Sequence, residues 1–177
     1  MKVFRKLMGF LSAAVLVISA LSIPVFAAEL TSGYSVSTVL TVNNNPVVNN
    51  ASYGEAKFYV NPTYTFDDAT VLNNGDTLVY SVPSVFKLEQ PMTQPIAAPT
   101  GEVIAQMVTD PTTGKVTVTI TNAEYFARLN ETKNLSFLFT VVWNDSTPYN
   151  VAQTLTFLGA PEYTLTRIKA DEEPHGY

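Results

Sequence analysis

The sharpest pattern in the chain is Lys115–Val116–Thr117–Val118–Thr119–Ile120–Thr121, where valines and isoleucine alternate with threonines. Side chains of an extended backbone point to opposite faces in turn, so this run predicts a half-buried antiparallel strand. Similar alternation recurs in Tyr34–Val42, with a register slip near Thr38, and in Asp76–Val82 and Glu102–Val108. Lys57–Val60 and Thr63–Phe66 flank Asn61–Pro62, and the proline predicts a bulge or an edge position between two short strands. Leu135–Trp143 is apolar at nearly every position after Ser136, the pattern of a central strand covered on both faces. Val151–Leu158 and Tyr163–Ile168 complete the extended segments.

Turn chemistry separates these runs. Asn43–Asn44–Asn45–Pro46 ends the first, Asn74–Gly75 tolerates positive φ at both residues, and Asp110–Pro111–Thr112–Thr113–Gly114 predicts a hairpin turn. The proline-rich stretch from Ser84 to Thr100 predicts a long irregular connection holding at most one short strand. Asn122 is placed to cap one short helix, at 122–129. Roughly nine short strands with turn signals every 8–12 residues predict an all-β, antiparallel β-sandwich.

The N-terminus follows other rules. Lys2, Arg5 and Lys6 precede an apolar stretch from Leu7 to Ile23, Pro24 breaks it, and Val25–Phe26–Ala27 places small residues before a cleavage point. Residues 1–27 therefore read as a signal peptide removed after Ala27, the rival being an uncleaved membrane anchor. Residues 28–168 then form one domain, and the polar, unpatterned 169–177 a disordered tail or the truncated start of a linker. The first three basic residues are the only charges before Glu29, so the net charge of −5 resolves into a body with seven basic and fifteen acidic residues, net −8. An acidic body with scattered lysines excludes a nucleic-acid partner. The chain has no cysteine, so an exported domain must rest on a packed core without disulfides.

Catalytic chemistry finds little to use. The single histidine, His175, lies in the tail, which excludes a histidine-based triad, so no catalytic residue is expected. Carboxylates at Asp67–Asp68, Glu172–Glu173, Asp76 and Asp145 lack the paired placement that acid–base work needs and the spaced array that a Ca²⁺ loop needs. No metal or cofactor is expected. Trp143 closes an apolar strand and reads as core. Tyr34, Tyr53, Tyr149 and Tyr163 sit near turns; they are the candidate ligand-contact aromatics, against the alternative that they pack over the ends of the sandwich. Four Asn-x-Ser/Thr matches, at Asn50, Asn130, Asn134 and Asn144, are what an Asn- and Thr-rich chain contains by chance.

Three stretches carry a family likeness: Val71–Leu72–Asn73–Asn74–Gly75–Asp76–Thr77 leading into an alternating strand that stops at Pro83; Gly101–Glu102–Val103–Ile104–Ala105; and Thr113–Gly114–Lys115–Val116 through Asn122. In this order, and followed by a short helix and the strand at Asn134–Phe139, they resemble the Ig-like ligand-binding-region domains of Gram-positive surface adhesins, the collagen- and fibrinogen-binding type. Ile120 stands where that family tends to have an aromatic residue, and Asn122 where it tends to have Asp. The resemblance implies an Ig-like sandwich, secreted or held at the cell surface. It implies a non-enzymatic adhesion domain binding an extracellular protein ligand or a neighbouring surface domain. A structural or assembly subunit and a carbohydrate-binding module are the alternatives. Members commonly work as paired domains, so this chain is expected to be a fragment, a stand-alone domain or a subunit of something larger. Some members carry a Lys–Asn isopeptide cross-link, for which Lys57 with Asn134 or Asn144 are the candidates here.

Overall fold

The computed structural model describes residues 27–128 and 132–170. The signal segment up to residue 26, the end of the predicted helix at Leu129, and the tail from 171 on, with His175, lie outside the described residues. In chain order the strands are β1 (Tyr34–Val42), β2 (Asn45–Pro46), β3 (Ser52–Tyr53), β4 (Phe58–Phe66), β5 (Thr77–Ser81), β6 (Phe86–Lys87) and β7 (Met92–Ala97). They continue as β8 (Val103–Asp110), β9 (Lys115–Ile120), helix α1 (Ala123–Arg128), β10 (Lys133–Ser136), β11 (Phe139–Trp143), β12 (Ala152–Leu155) and β13 (Tyr163–Arg167).

One sheet has the order β2-β1-β4-β11-β6, with β10 also on β4; a second has the order β5-β9-β8-β7; a third is β12-β13-β3. All pair antiparallel except β13 with β3. Alternation aims the inner faces at one another: Val116, Val118 and Ile120 of β9 are fully buried, as are Val60 of β4 and Val141 of β11. The arrangement is the expected Ig-like β-sandwich. Its thirteen described strands exceed the nine expected: β2, β3 and β6 are two-residue pairings too short to show a period, β7 is a further strand, and the division of 135–143 into two is offset by the merging of two into β4. The proline-rich stretch also holds more order than expected: β6 and the six-residue β7 both lie in it. Pro95 is accommodated because β7 is an edge strand.

The clearest departure concerns Pro62. The two short strands expected around it are one nine-residue strand, β4, paired without a break along the whole of β1. It is neither an edge nor a bulge but the centre of its sheet. Opposite it, β10 and β11 share one register on β4, Ser136 facing Thr63 and Phe139 facing Val60, interrupted only at Phe137–Leu138. Leu135–Trp143 is thus two collinear strands, and its outer face is open rather than covered, with Leu138 half exposed.

Hydrogen bonding explains how the proline is tolerated. Directly opposed residues of a hydrogen-bonded antiparallel pair exchange both N–H···O bonds. Phe137 N–H donates to Pro62 O at 3.1 Å, but Pro62 has no N–H to return. Asn61 Nδ2 donates to Phe137 O instead, at 2.6 Å. On the β1 side nothing is lost, since Thr38 N–H, opposite Pro62, donates to Gly159 O at 2.9 Å.

The sheets are tied together through an aromatic interior. Tyr64 of β4 stacks on Phe137 (5.9 Å), Phe137 on Phe139 (6.3 Å), and Tyr80 of β5 meets Phe139 edge-on (5.6 Å). Trp143, 1% exposed, is core as expected, and its indole N–H donates to Gly54 O at 2.9 Å. Tyr80 is fully buried and its hydroxyl reaches across to β1, 3.2 Å from Thr38 Oγ1. Both hydroxyls also donate to Leu158 O, at 2.9 and 2.6 Å. The turn at 158–160 can press against β1 because Gly159 (φ +81°) has no Cβ; one would lie 2.7 Å from Val36 O. The expected caps and turns are present: Asn122 Oδ1 accepts from Tyr125 N–H (3.2 Å), and Gly114 takes φ +68° at the Asp110 turn.

Two predictions follow from this interior. Asn61→Leu leaves Phe137 O without a donor beside a proline, and should lower unfolding free energy by about 1–3 kcal/mol in chemical denaturation. Burial pushes the Tyr80 hydroxyl from 10.0 up to about 12, against a smaller lowering by the Thr38 hydrogen bond, and burial raises Tyr64 as well. A tyrosine whose folded pKa exceeds its unfolded value favours the folded state below the unfolded value. That stability is lost as pH rises through the folded value. Denaturation midpoints should therefore hold steady below pH 10 and fall between pH 10 and about 12, less steeply in Tyr80→Phe.

Candidate binding surface

The feature that concentrates exposed charge is an open groove of about 520 Å³ at the end of β4, β11 and β6. Strand alternation builds it. β6 pairs with β11, Phe86 opposite Trp143 and Lys87 opposite Val142. Phe86 turns inward to stack on Trp143 at 4.8 Å, so Lys87, one residue on, must turn outward into the groove. Lys87 Nζ meets the Asp145 carboxylate at 2.9–3.0 Å, and Lys57 Nζ, just before β4, lies 3.9 Å from Glu89 Oε2. Both pairs are solvent-exposed, and such pairs stabilise by only about 0–1 kcal/mol. Little holds either lysine to its present partner.

Glu55 joins the groove to a more rigid cluster. Arg167 of β13 is 6% exposed, with Nε and Nη2 on Glu55 Oε1 at 2.8 and 2.7 Å. Its Nη1 donates to Asn144 O (3.1 Å) and Thr147 O (2.8 Å), so the guanidinium spans three chain segments. The Tyr149 ring lies over it, 4.3 Å from Cζ, with Lys169 Nζ at 5.7 Å. Tyr149 OH donates to Glu55 Oε1 at 3.1 Å, and that bond is the main cause raising its pKa above 10.0. Tyr149 is 38% exposed, so a ring held in place by a buried cation borders the groove's Glu55 wall.

The four tyrosines singled out in the sequence are not brought together. Tyr34 donates to Leu30 O at 3.2 Å and packs edge-on against Tyr64 at 5.0 Å. Tyr53 accepts from Val48 N–H at 3.0 Å and packs on Phe58 at 5.5 Å, while Tyr163 packs against the core. Tyr149 alone of the four joins a charged cluster. The isopeptide candidates have other partners: Lys57 faces Glu89, Asn134 Oδ1 accepts from Thr65 Oγ1 (2.8 Å), and Asn144 Nδ2 donates to Ser84 O (3.1 Å). Asp67 and Asp68 sit in an exposed turn, and among the described residues no group of three His, Asp or Glu could hold a metal ion. Arg167 was not foreseen, although period two in Tyr163–Arg167 puts it on the face of buried Leu165. An arginine on a core face was the available signal.

An antiparallel β-sandwich built from these sheets is an immunoglobulin-like module. The chain belongs to the bacterial Ig domain family, whose profile matches residues 52–150. It is 26% identical over 150 residues to a wall-associated protein of Streptococcus mutans, covering 81% of this chain and 32% of that protein. The chain thus spans about a third of the length of that relative. Its fold is similar to the crystal structure of a serine-rich repeat adhesion glycoprotein of Streptococcus agalactiae. That match has a TM-score of 0.56 at 18% identity, covering 78% of this chain and 48% of the other. A second serine-rich repeat protein of the same species also has a TM-score of 0.56, at 17% identity, covering 79% and 46%.

Replacing Arg167 by Met keeps the apolar stem but removes the donor to Thr147 O and the charge on Glu55, while Asn144 O keeps Thr147 N–H and Glu55 keeps Tyr149 OH. Unfolding free energy should drop by about 1–3 kcal/mol in chemical denaturation.

Proposed function

We propose that this chain is a non-enzymatic adhesion domain, exported through residues 1–27 and displayed at the cell surface. There it binds an extracellular protein or a neighbouring surface domain. The observation that carries this reading is the groove: solvent-exposed charges of both signs, with a tyrosine stacked on a buried arginine beside its Glu55 wall. Lys57 and Lys87, interleaved with Glu55, Glu89 and Asp145, present a mixed-charge pattern that suits a protein surface better than a polyanion. Weak exposed pairs can exchange their internal partner for an external one at small cost. The nearby groups are lysines, carboxylates and a phenol held by hydrogen bonds, an arrangement for recognition rather than bond breaking. Family membership and the likeness to a wall-associated protein support the location.

The test is capture of the exported protein on immobilised collagen, fibrinogen and Gram-positive cell-wall preparations, read by surface plasmon resonance. Lys57→Glu with Lys87→Glu should weaken binding at least tenfold while leaving the melting temperature within a few degrees. Retained binding in the double variant would move the site elsewhere on the domain, and absence of binding to every surface would remove the adhesive reading.

A further inference from the structure

Asp76 is 2% exposed. Each of its carboxylate oxygens takes one backbone N–H: Oδ2 from Asn73 at 2.8 Å and Oδ1 from Ala28 at 3.0 Å. Among the described residues it forms no salt bridge with a Lys or Arg side chain. A carboxylate withdrawn from water this far ordinarily needs a counter-charge. The nitrogen on Oδ1 is that of Ala28, the atom set free if the leader is removed after Ala27.

We propose that Asp76 is the receptor for the α-ammonium group of the mature chain, so that an ion pair closing the domain's edge forms only after export. This rests on the reading of residues 1–27 as a cleaved leader. In the cleavage, water is the co-reactant: the Ala27 C–Ala28 N bond breaks, hydroxyl goes to the Ala27 carboxyl and hydrogen to the Ala28 nitrogen. The free amine, with an ordinary pKa of about 8, takes a further proton from solvent at neutral pH. A neutral donor with one hydrogen becomes a cation with three, beside the same oxygen.

The residues from Ala28 on are tied to Thr77 of β5. Thr77 N–H donates to Ala28 O at 2.9 Å, Leu30 N–H donates to Thr77 O at 2.8 Å, and Glu29 bridges Thr77 in parallel. Residues 28–30 thereby line β5, the edge strand of its sheet, on the side away from β9. Asp76 is aimed at them by its own turn, where Gly75 takes φ +92° and Asp76 N–H donates to Asn73 O at 3.1 Å. In the precursor the same segment docks with a neutral amide on Asp76; in the mature protein it docks with a charge.

The full chain, secreted from a Gram-positive host, should yield a product whose intact mass begins at Ala28. A full-chain variant with one Ser inserted between Ala27 and Ala28 is cleaved to a product beginning with Ser, and the Ala28 nitrogen is an amide again. Its melting temperature should fall by roughly 3–6 °C, and the insertion should have no effect in an Asp76→Asn background. The wild-type α-amine should react at least tenfold more slowly with an amine-selective reagent when folded than in urea, a comparison that holds even if Asp76→Asn does not fold. A product starting elsewhere overturns the leader reading and the ion pair together. A product starting at Ala28 with unmoved melting temperature, or with equal labelling rates, overturns the ion pair alone.

Discussion

A proline at the centre of a sheet sets the terms for the rest of this domain. β4 carries β1 along one edge and both β10 and β11 along the other, so a defect in it would propagate to three strands. Pro62 withholds a single N–H, on the β10–β11 side, where the backbone can part for two residues without changing register. The asparagine before it supplies the missing donor from its side chain. Because the register survives, Tyr64, Phe137 and Phe139 stay on the inner face and meet Tyr80 from the opposite sheet. Had β4 slipped by one residue, its own inward residues, Tyr64 among them, would have turned to solvent and left Phe137 without its stacking partner.

Two buried ionisable side chains hold peripheral segments to this frame. Arg167 binds the Asn144–Thr147 turn and Glu55 from the last strand, and Asp76 binds the Ala28 and Asn73 backbones. Each sits where a strand edge meets a loop, and each meets backbone groups that no ladder serves. Their burial makes them structural. The lysines of the groove carry the same kind of charge but remain in water, and the solvent that weakens their ion pairs leaves them free for other partners.

Much of this could be read along the chain, and the failures share a cause. β9 alternates cleanly because one face is core and the other solvent; its turn, the Asn122 cap and buried Trp143 rest on local chemistry. β7 shows no alternation because it is an edge strand exposed on nearly every residue, and its proline reads as a breaker. Along the chain Pro62 predicts an edge or a bulge, because its remedy, an amide donated from Asn61 to Phe137, joins residues 76 positions apart. The groove was invisible for the same reason: Lys57, Lys87 and Asp145 share no segment. Arg167 was visible in the period of β13, but a charge near the end of a chain reads as solvated unless the face it shares with Leu165 is given weight.

The groove and the buried cluster are mechanically linked through Glu55, and this bears on how a ligand would be felt. Glu55 lines the groove, yet its Oε1 is held by Arg167 and by Tyr149 OH. A cationic group entering the groove would compete for the outward oxygen lobe of Glu55 while the bonds to Arg167 keep the carboxylate in place. An anionic group would instead draw Lys57 and Lys87 from Glu89 and Asp145, moving only long, solvated side chains. The second response disturbs nothing buried, whereas the first loads the guanidinium that ties three segments together. On the proposed adhesive reading, acidic groups of a partner would meet the lysines, and Glu55, held by Arg167, would stay in place as they did so.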